Sequence, residues 1–166
     1  GLGQASGVST HLLSSVRTSN DSHKTWAPRR LAQLLDPLRG ATVAVWGLTY
    51  KPGTDTLRRS SAIELCKRLV AQGANVRAHD PAIKSIPPDL SGRVVLEHDP
   101  LATLLEAVAL VIATPWVEYS KVGTEELHAR MKRPLVLDAH RCANRTLAGS
   151  SSIEYVTVGK PMVARA

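Results

Sequence analysis

The sequence predicts an α/β fold, a mostly parallel sheet with helices on both faces, preceded by a helical lead-in. Three observations predict it. From Thr42 onward, short apolar runs alternate with amphipathic ones. The apolar run Ala41 to Trp46 is joined by a loop to an amphipathic stretch from Ala62 to Val70, the pattern of a buried strand followed by a covering helix. Two helically spaced stretches with no strand between them come first.

In the lead-in, Thr10 to Val16 places Leu12, Leu13 and Val16 on one side, and Trp26 to Leu35 does the same with Trp26, Leu31, Leu34 and Leu35. Asp36-Pro37 ends the second stretch, because a residue before proline is pushed out of the α region. Residues 1–38 are therefore read as a helical segment and 39–166 as the α/β domain. The domain's elements are, in order, strand Thr42 to Gly47, helix Ala62 to Gln72, strand Asn75 to His79, amphipathic Leu101 to Ala107, strand Ala109 to Thr114, helix Glu125 to Met131, then Leu135 to Leu137 and Ile153 to Val158. The first of these helices is the best specified. Ser61 and Glu64 have the spacing of a capping box, Ile63, Leu65, Cys66, Leu69 and Val70 form an apolar stripe, and Gly73 offers a stop. In such a sheet, ligands lie outside the carboxyl ends of the strands. The loops at Gly47, His79, Thr114 and Asp138 should share that edge.

Charge and composition exclude several classes. At 166 residues the chain is long enough for one domain with a proper core. No apolar run approaches the roughly 18 to 20 residues of a membrane span, and Gly1 to Gly7 has neither the basic nor the apolar region of a signal peptide. A cytoplasmic protein without a membrane partner is expected. The net charge of +7 admits a polyanion, but the Lys and Arg residues are dispersed and aromatic residues are only 4%, so nucleic acid is not the expected partner. Cys66 and Cys142 have no metal-ligand spacing, nor do the six histidines, and no metal site is expected. Cys66 belongs to the helix's apolar face. Cys142 has Arg141 beside it but no base or orienting partner that the sequence identifies, so no catalytic residue is assigned.

The segment from Gly47 to Ser60 carries the chemistry. It joins a strand end to a helix start and brings Lys51, Arg58 and Arg59 to a place where backbone N–H groups are unpaired, which suits an anionic, phosphate-bearing ligand. A dinucleotide fingerprint is absent. Only Gly47 stands where G-x-G-x-x-G is needed, and Asp80 comes about 33 positions later, beyond the roughly 20 expected of the ribose-binding acid. The domain is Rossmann-like in topology without being a self-sufficient NAD site.

The run Gly47-Leu-Thr-Tyr-Lys-Pro-Gly-Thr-Asp-Thr-Leu-Arg58-Arg-Ser, followed by Ala62-Ile-Glu-Leu, His79-Asp80-Pro81, Ala113-Thr114-Pro115-Trp116 with Glu118, and Leu137-Asp138, resembles the C-terminal domain of the UDP-glucose and GDP-mannose dehydrogenases. The pattern covers nearly all of Ala41 to Pro161, and Leu12-Leu13 with Ser19-Asn20-Asp21 resembles the end of the family's central helical region. The resemblance implies oxidation of the C6 hydroxyl of a nucleotide sugar to a carboxylate, with NAD as cofactor and a cysteine that lies in a motif upstream of this stretch. It implies that the chain is the nucleotide-sugar-binding part of such an enzyme, lacking the NAD domain and the catalytic cysteine and inactive alone. UDP-glucose is the first expectation for the ligand, ahead of GDP-mannose and UDP-N-acetyl-hexosamines.

Carried over position by position, Tyr50 and Lys51 match the family's aromatic and lysine pair that meets the nucleotide sugar, and Arg58 matches the arginine that reaches NAD. Thr56 and Arg59 depart from the family, standing where it has a second acidic residue and a common glutamate, and both changes make the loop more cationic. After Asp138, either His140 or Arg141 supplies the substrate-facing cation; Arg141 is preferred because a guanidinium stays charged and binds phosphate bidentately. Trp116 is read as packing, with its N–H satisfied locally, and His79 as a buried, hydrogen-bonded strand-end residue. The complete protein is expected to pair through its central helix into a homodimer. Two other functions compete, a stand-alone nucleotide-sugar-binding or regulatory module and a basic nucleic-acid-binding domain.

Overall fold

Six short strands pair in the order β3-β2-β1-β4-β5-β6, every pair parallel. They are β1 (Thr42–Trp46), β2 (Asn75–His79), β3 (Val94–Leu96), β4 (Ala109–Ile112), β5 (Leu135–Asp138) and β6 (Glu154–Val156). The computed structural model describes residues 25–159. The helix expected over Thr10 to Val16 and the Ser19-Asn20-Asp21 match lie outside them. Helix α1 occupies 25–34, ahead of the sheet, and the later helices are α2 (Ser61–Ala71), α3 (Thr124–Arg130) and α4 (Asn144–Leu147).

Side chains alternate across the pleat, so the central strands β1, β4 and β5 feed two cores. Val43, Val45, Val76, Ala78, Val111, Leu135 and Leu137 face α1 and α2; Ala44, Trp46, Leu110, Ile112 and Val136 face α3, α4 and the 3-10 turns. Helix α2 buries Ala62, Ile63, Leu65, Cys66 and Leu69 on the first face, where each large side chain contributes about 1.5 to 3 kcal/mol. Leu31 of α1 is fully buried in the same core. Arg133 adds a polar tie: its Nε and Nη2 bond both oxygens of Glu154 on β6 at 3.0 and 2.8 Å, and its Nη1 donates to Leu34 O at 2.8 Å.

Some local expectations change. The cap of α2 is Ser60, whose Oγ accepts from the N–H groups of Ala62 and Ile63; Ser61 is the first helical residue, and Glu64 turns outward to Lys67. The amphipathic stretch from Leu101 closes as a 3-10 turn, Pro100–Leu104, because Asp99 caps Leu101 N and Thr103 Oγ1 folds back onto Pro100 O. Strand β3 and helix α4, of three and four residues, are too short to show a period.

Candidate functional site

The register aligns Trp46 with His79 and Ile112, and Ile112 with Asp138, so the loops after β1, β2, β4 and β5 leave the sheet along one edge. At the centre of that edge the chain turns sharply at Gly47. Its φ is +84°, and a Cβ there would stand 2.5 Å from both the Cβ and the backbone oxygen of Thr114. Only glycine lets the ends of β1 and β4 approach this closely.

Asp80 organises the loop beyond this turn. Its Oδ2 accepts from Leu48 N (2.7 Å), Thr49 N (2.9 Å), Thr49 Oγ1 (3.0 Å) and Trp116 Nε1 (3.2 Å), and its Oδ1 accepts from Ala82 N (2.9 Å). The residue is buried. The carbonyls of the same stretch are held as well: Ser60 Oγ donates to Leu48 O and Thr114 Oγ1 to Thr49 O, both at 2.6 Å. Tyr50 N donates to Thr56 O at 2.8 Å, which closes residues 50–56 into an exposed tongue on a fixed base.

These bonds leave the turn unsuited to a dinucleotide. The backbone N–H groups after β1 that a pyrophosphate would need are taken: Gly47 N by His79 O, and Leu48 N and Thr49 N by the Asp80 carboxylate. The turn does not fit NAD on its own.

Beside the tongue lies an open groove of about 750 Å³, lined among others by Trp26, Tyr50, Lys51, Arg59, Thr114 and His140. Tyr50 is 61% exposed. Lys51 and Arg59 have no hydrogen-bond or ion-pair partner among the described residues. Tyr50, Lys51 and His140 thus share one hollow. Arg58, an exposed residue of the same loop, is not part of its wall, and neither is Arg141, whose backbone is left-handed (φ +57°) and whose Nη2 donates to Val158 O at 3.1 Å. The turn carrying His140 is set by Asp138, fully buried, whose Oδ2 accepts from Ala143 N and Tyr155 Oη, each at 2.8 Å. Sequence reasoning missed Trp26 in the groove and the anchoring role of Asp80; the one available signal for the latter was its place at the end of β2, on the ligand edge.

His79, Cys66 and Cys142 are held by burial and packing. His79 is buried, with Nδ1 2.9 Å from Tyr119 Oη, and that hydroxyl donates to His79 O at 3.1 Å. Burial lowers its pKa despite Glu118 and Asp80 nearby and favours the neutral ring. Burial pushes the Cys66 thiol up to about 12 and, with Asp138, the Cys142 thiol up to about 11; neither is a ready nucleophile. The indole of Trp116 packs with its N–H on Asp80, as expected. Among the described residues, no group of acidic, histidine or cysteine side chains is arranged to hold a metal ion, and no helix is long and apolar enough to cross a membrane.

A doubly wound parallel sheet with a cationic, aromatic-walled groove at its carboxyl edge defines an α/β ligand-binding domain of Rossmann-like topology. Residues 44–145 match the UDP binding domain of the UDP-glucose/GDP-mannose dehydrogenase family, and the chain belongs to that family. It is 30% identical over 162 residues to a UDP-glucose 6-dehydrogenase of Pseudomonas aeruginosa, covering 93% of this chain and 36% of the relative. To that of Rhizobium meliloti it is 33% identical over 143 residues, covering 86% and 33%. The chain therefore spans about a third of the length of these relatives. A UDP-glucose dehydrogenase from the archaeon Pyrobaculum islandicum superposes with a TM-score of 0.68 at 30% identity, over 82% of this chain and 30% of that one. A UDP-N-acetyl-mannosamine dehydrogenase from Staphylococcus aureus does so with a TM-score of 0.65 at 24% identity, over 85% and 32%, a likeness of fold alone.

Proposed function

We propose that the chain is the nucleotide-sugar-binding part of a cytoplasmic, NAD-dependent dehydrogenase that oxidises a sugar C6 alcohol to a carboxylate, with UDP-glucose as the ligand. The observation that carries this reading is Lys51 lining the edge groove with no partner among the described residues. A compact ammonium on a fixed base suits a phosphate or sugar oxygen, and the exposed ring of Tyr50 beside it offers a flat apolar face. The turn after β5 completes the substrate set. His140 lines the groove directly, while Arg141 reaches the ligand on giving up its bond to Val158 O. Arg58 serves NAD held by another domain, since the turn of this one has no free N–H groups to cradle a pyrophosphate.

Calorimetric titration with UDP-glucose tests the site. Lys51→Ala is expected to weaken binding by about 1.5 to 3 kcal/mol, the range of a charge-assisted hydrogen bond, with little change in the urea midpoint because an exposed loop cation has little packing to lose. Equal affinity in two folded proteins rejects the assignment. A separate assay monitors reduction of NAD by the absorbance of NADH. The chain alone is expected to show none with any nucleotide sugar, and measurable turnover rejects the division of labour proposed here.

A further inference from the structure

The geometry points to Arg59 as a second phosphate-reading cation, the residue that makes the groove prefer a nucleoside diphosphate to a monophosphate. This rests on the groove being the nucleotide site. The family resemblance singled out Arg58 in this pair, yet it is Arg59 that lines the groove. Its backbone explains the difference. Arg59 is left-handed at φ +61°, a conformation that disfavours a residue with a Cβ. It is held there because the next residue is fixed: Ser60 N donates to Leu57 O at 3.1 Å and Ser60 Oγ to Leu48 O at 2.6 Å. The reversal turns two consecutive arginines to different surroundings.

Arg59 also stands where two hollows meet. A smaller one of about 290 Å³, lined in part by Ser61, Glu64 and Arg68, shares Pro28, Arg59, Ser61 and Leu65 with the main groove. Glu64, the carboxylate on the wall of that smaller hollow, bonds Lys67 at 3.3 Å instead. The guanidinium is left without a counter-charge among the described residues, and so is Lys51 on the same groove. Two separate cations that line one groove, neither neutralised among the described residues, match two linked phosphates. A single phosphate satisfies one of them and leaves the other to solvent, so the second cation rewards the diphosphate selectively.

The test titrates the chain with UDP and with UMP at fixed low salt. Wild type is expected to prefer UDP by about tenfold or more, the scale of one charge-assisted hydrogen bond. Arg59→Gln should remove most of that preference while UMP affinity changes less than about twofold. Arg59→Gly removes the guanidinium and the left-handed strain together, so its melting temperature should rise as its UDP affinity falls, which separates lost binding from lost folding. An unchanged UDP-to-UMP ratio in Arg59→Gln, or an equal loss for both nucleotides, overturns the inference. If Lys51→Ala weakens UDP and Arg59→Gln does not, Arg59 alone is misassigned; if wild type binds neither nucleotide, the nucleotide site itself falls, and this inference with it.

Discussion

Gly47→Ala is expected to destabilise the chain by about 3 kcal/mol or more, measured as a fall in the urea midpoint at unchanged slope. Two effects add. A φ of +84° disfavours alanine by about 1 kcal/mol. The larger part is steric, because the added methyl would lie 2.5 Å from Thr114 Cβ and O and 2.7 Å from Thr114 N. Neither strand can yield cheaply. Trp46 O accepts from Ala113 N at 2.8 Å, Gly47 N donates to His79 O at 2.8 Å, and Thr114 Oγ1 is committed to Thr49 O. Gly53→Ala is the control, since Gly53 has φ +78° but nothing within 4 Å of its missing Cβ. It should lose only about 1 kcal/mol, the backbone part. Equal losses at the two positions would show that the approach of β1 to β4 is not what requires glycine at 47.

The same turn shows which features were legible in the sequence. The alternation of apolar runs with amphipathic ones reports burial period, which is a local property, and it predicted the order and type of the long elements and the edge on which their loops meet. Strand β3 and helix α4 escaped because three or four residues hold no period. The cap was misplaced by one position because Ser60 and Ser61 are both serines and only Ser61 has a glutamate three residues on; the deciding bonds, from Ser60 Oγ to Leu48 O and from the helix N–H groups to Ser60 Oγ, exist only once the loop has folded back. That Lys51 and Tyr50 lie on the groove follows from their place in the loop after β1, which leaves the sheet at its carboxyl edge. Trp26 was not legible, since it enters the groove from α1, which precedes the sheet. The orientation of Arg58 against Arg59, and of His140 against Arg141, turns on single left-handed residues, Arg59 and Arg141, neither a glycine that would announce the reversal.

Asp80 carries the second large expected effect, and it joins stability to binding. Asp80→Ala should destabilise the chain by about 3 to 4 kcal/mol, because removing the carboxylate leaves the N–H groups of Leu48, Thr49 and Ala82, the Thr49 hydroxyl and the Trp116 indole without their acceptor at a buried site. Losses of this kind are not additive, since some donors find water once the loop loosens. Asp80→Asn should fall between. Its one remaining oxygen still faces the four donors on the Oδ2 side but, uncharged, holds them more weakly, while its amide then faces Ala82 N, donor against donor. Amide hydrogen exchange gives the direct readout: Leu48 and Thr49 should lose protection in both variants, far more than the core strand residues Val43 and Val45 on the same β1. The tongue that carries Tyr50 and Lys51 stands on this base, so UDP-glucose affinity should fall in Asp80→Asn even at temperatures where the protein remains fully folded. Unchanged protection at Leu48 and Thr49 in Asp80→Asn, together with unchanged affinity, would mean that Ser60 and Thr114, holding the carbonyls of Leu48 and Thr49 at 2.6 Å, are enough to fix the loop without the carboxylate.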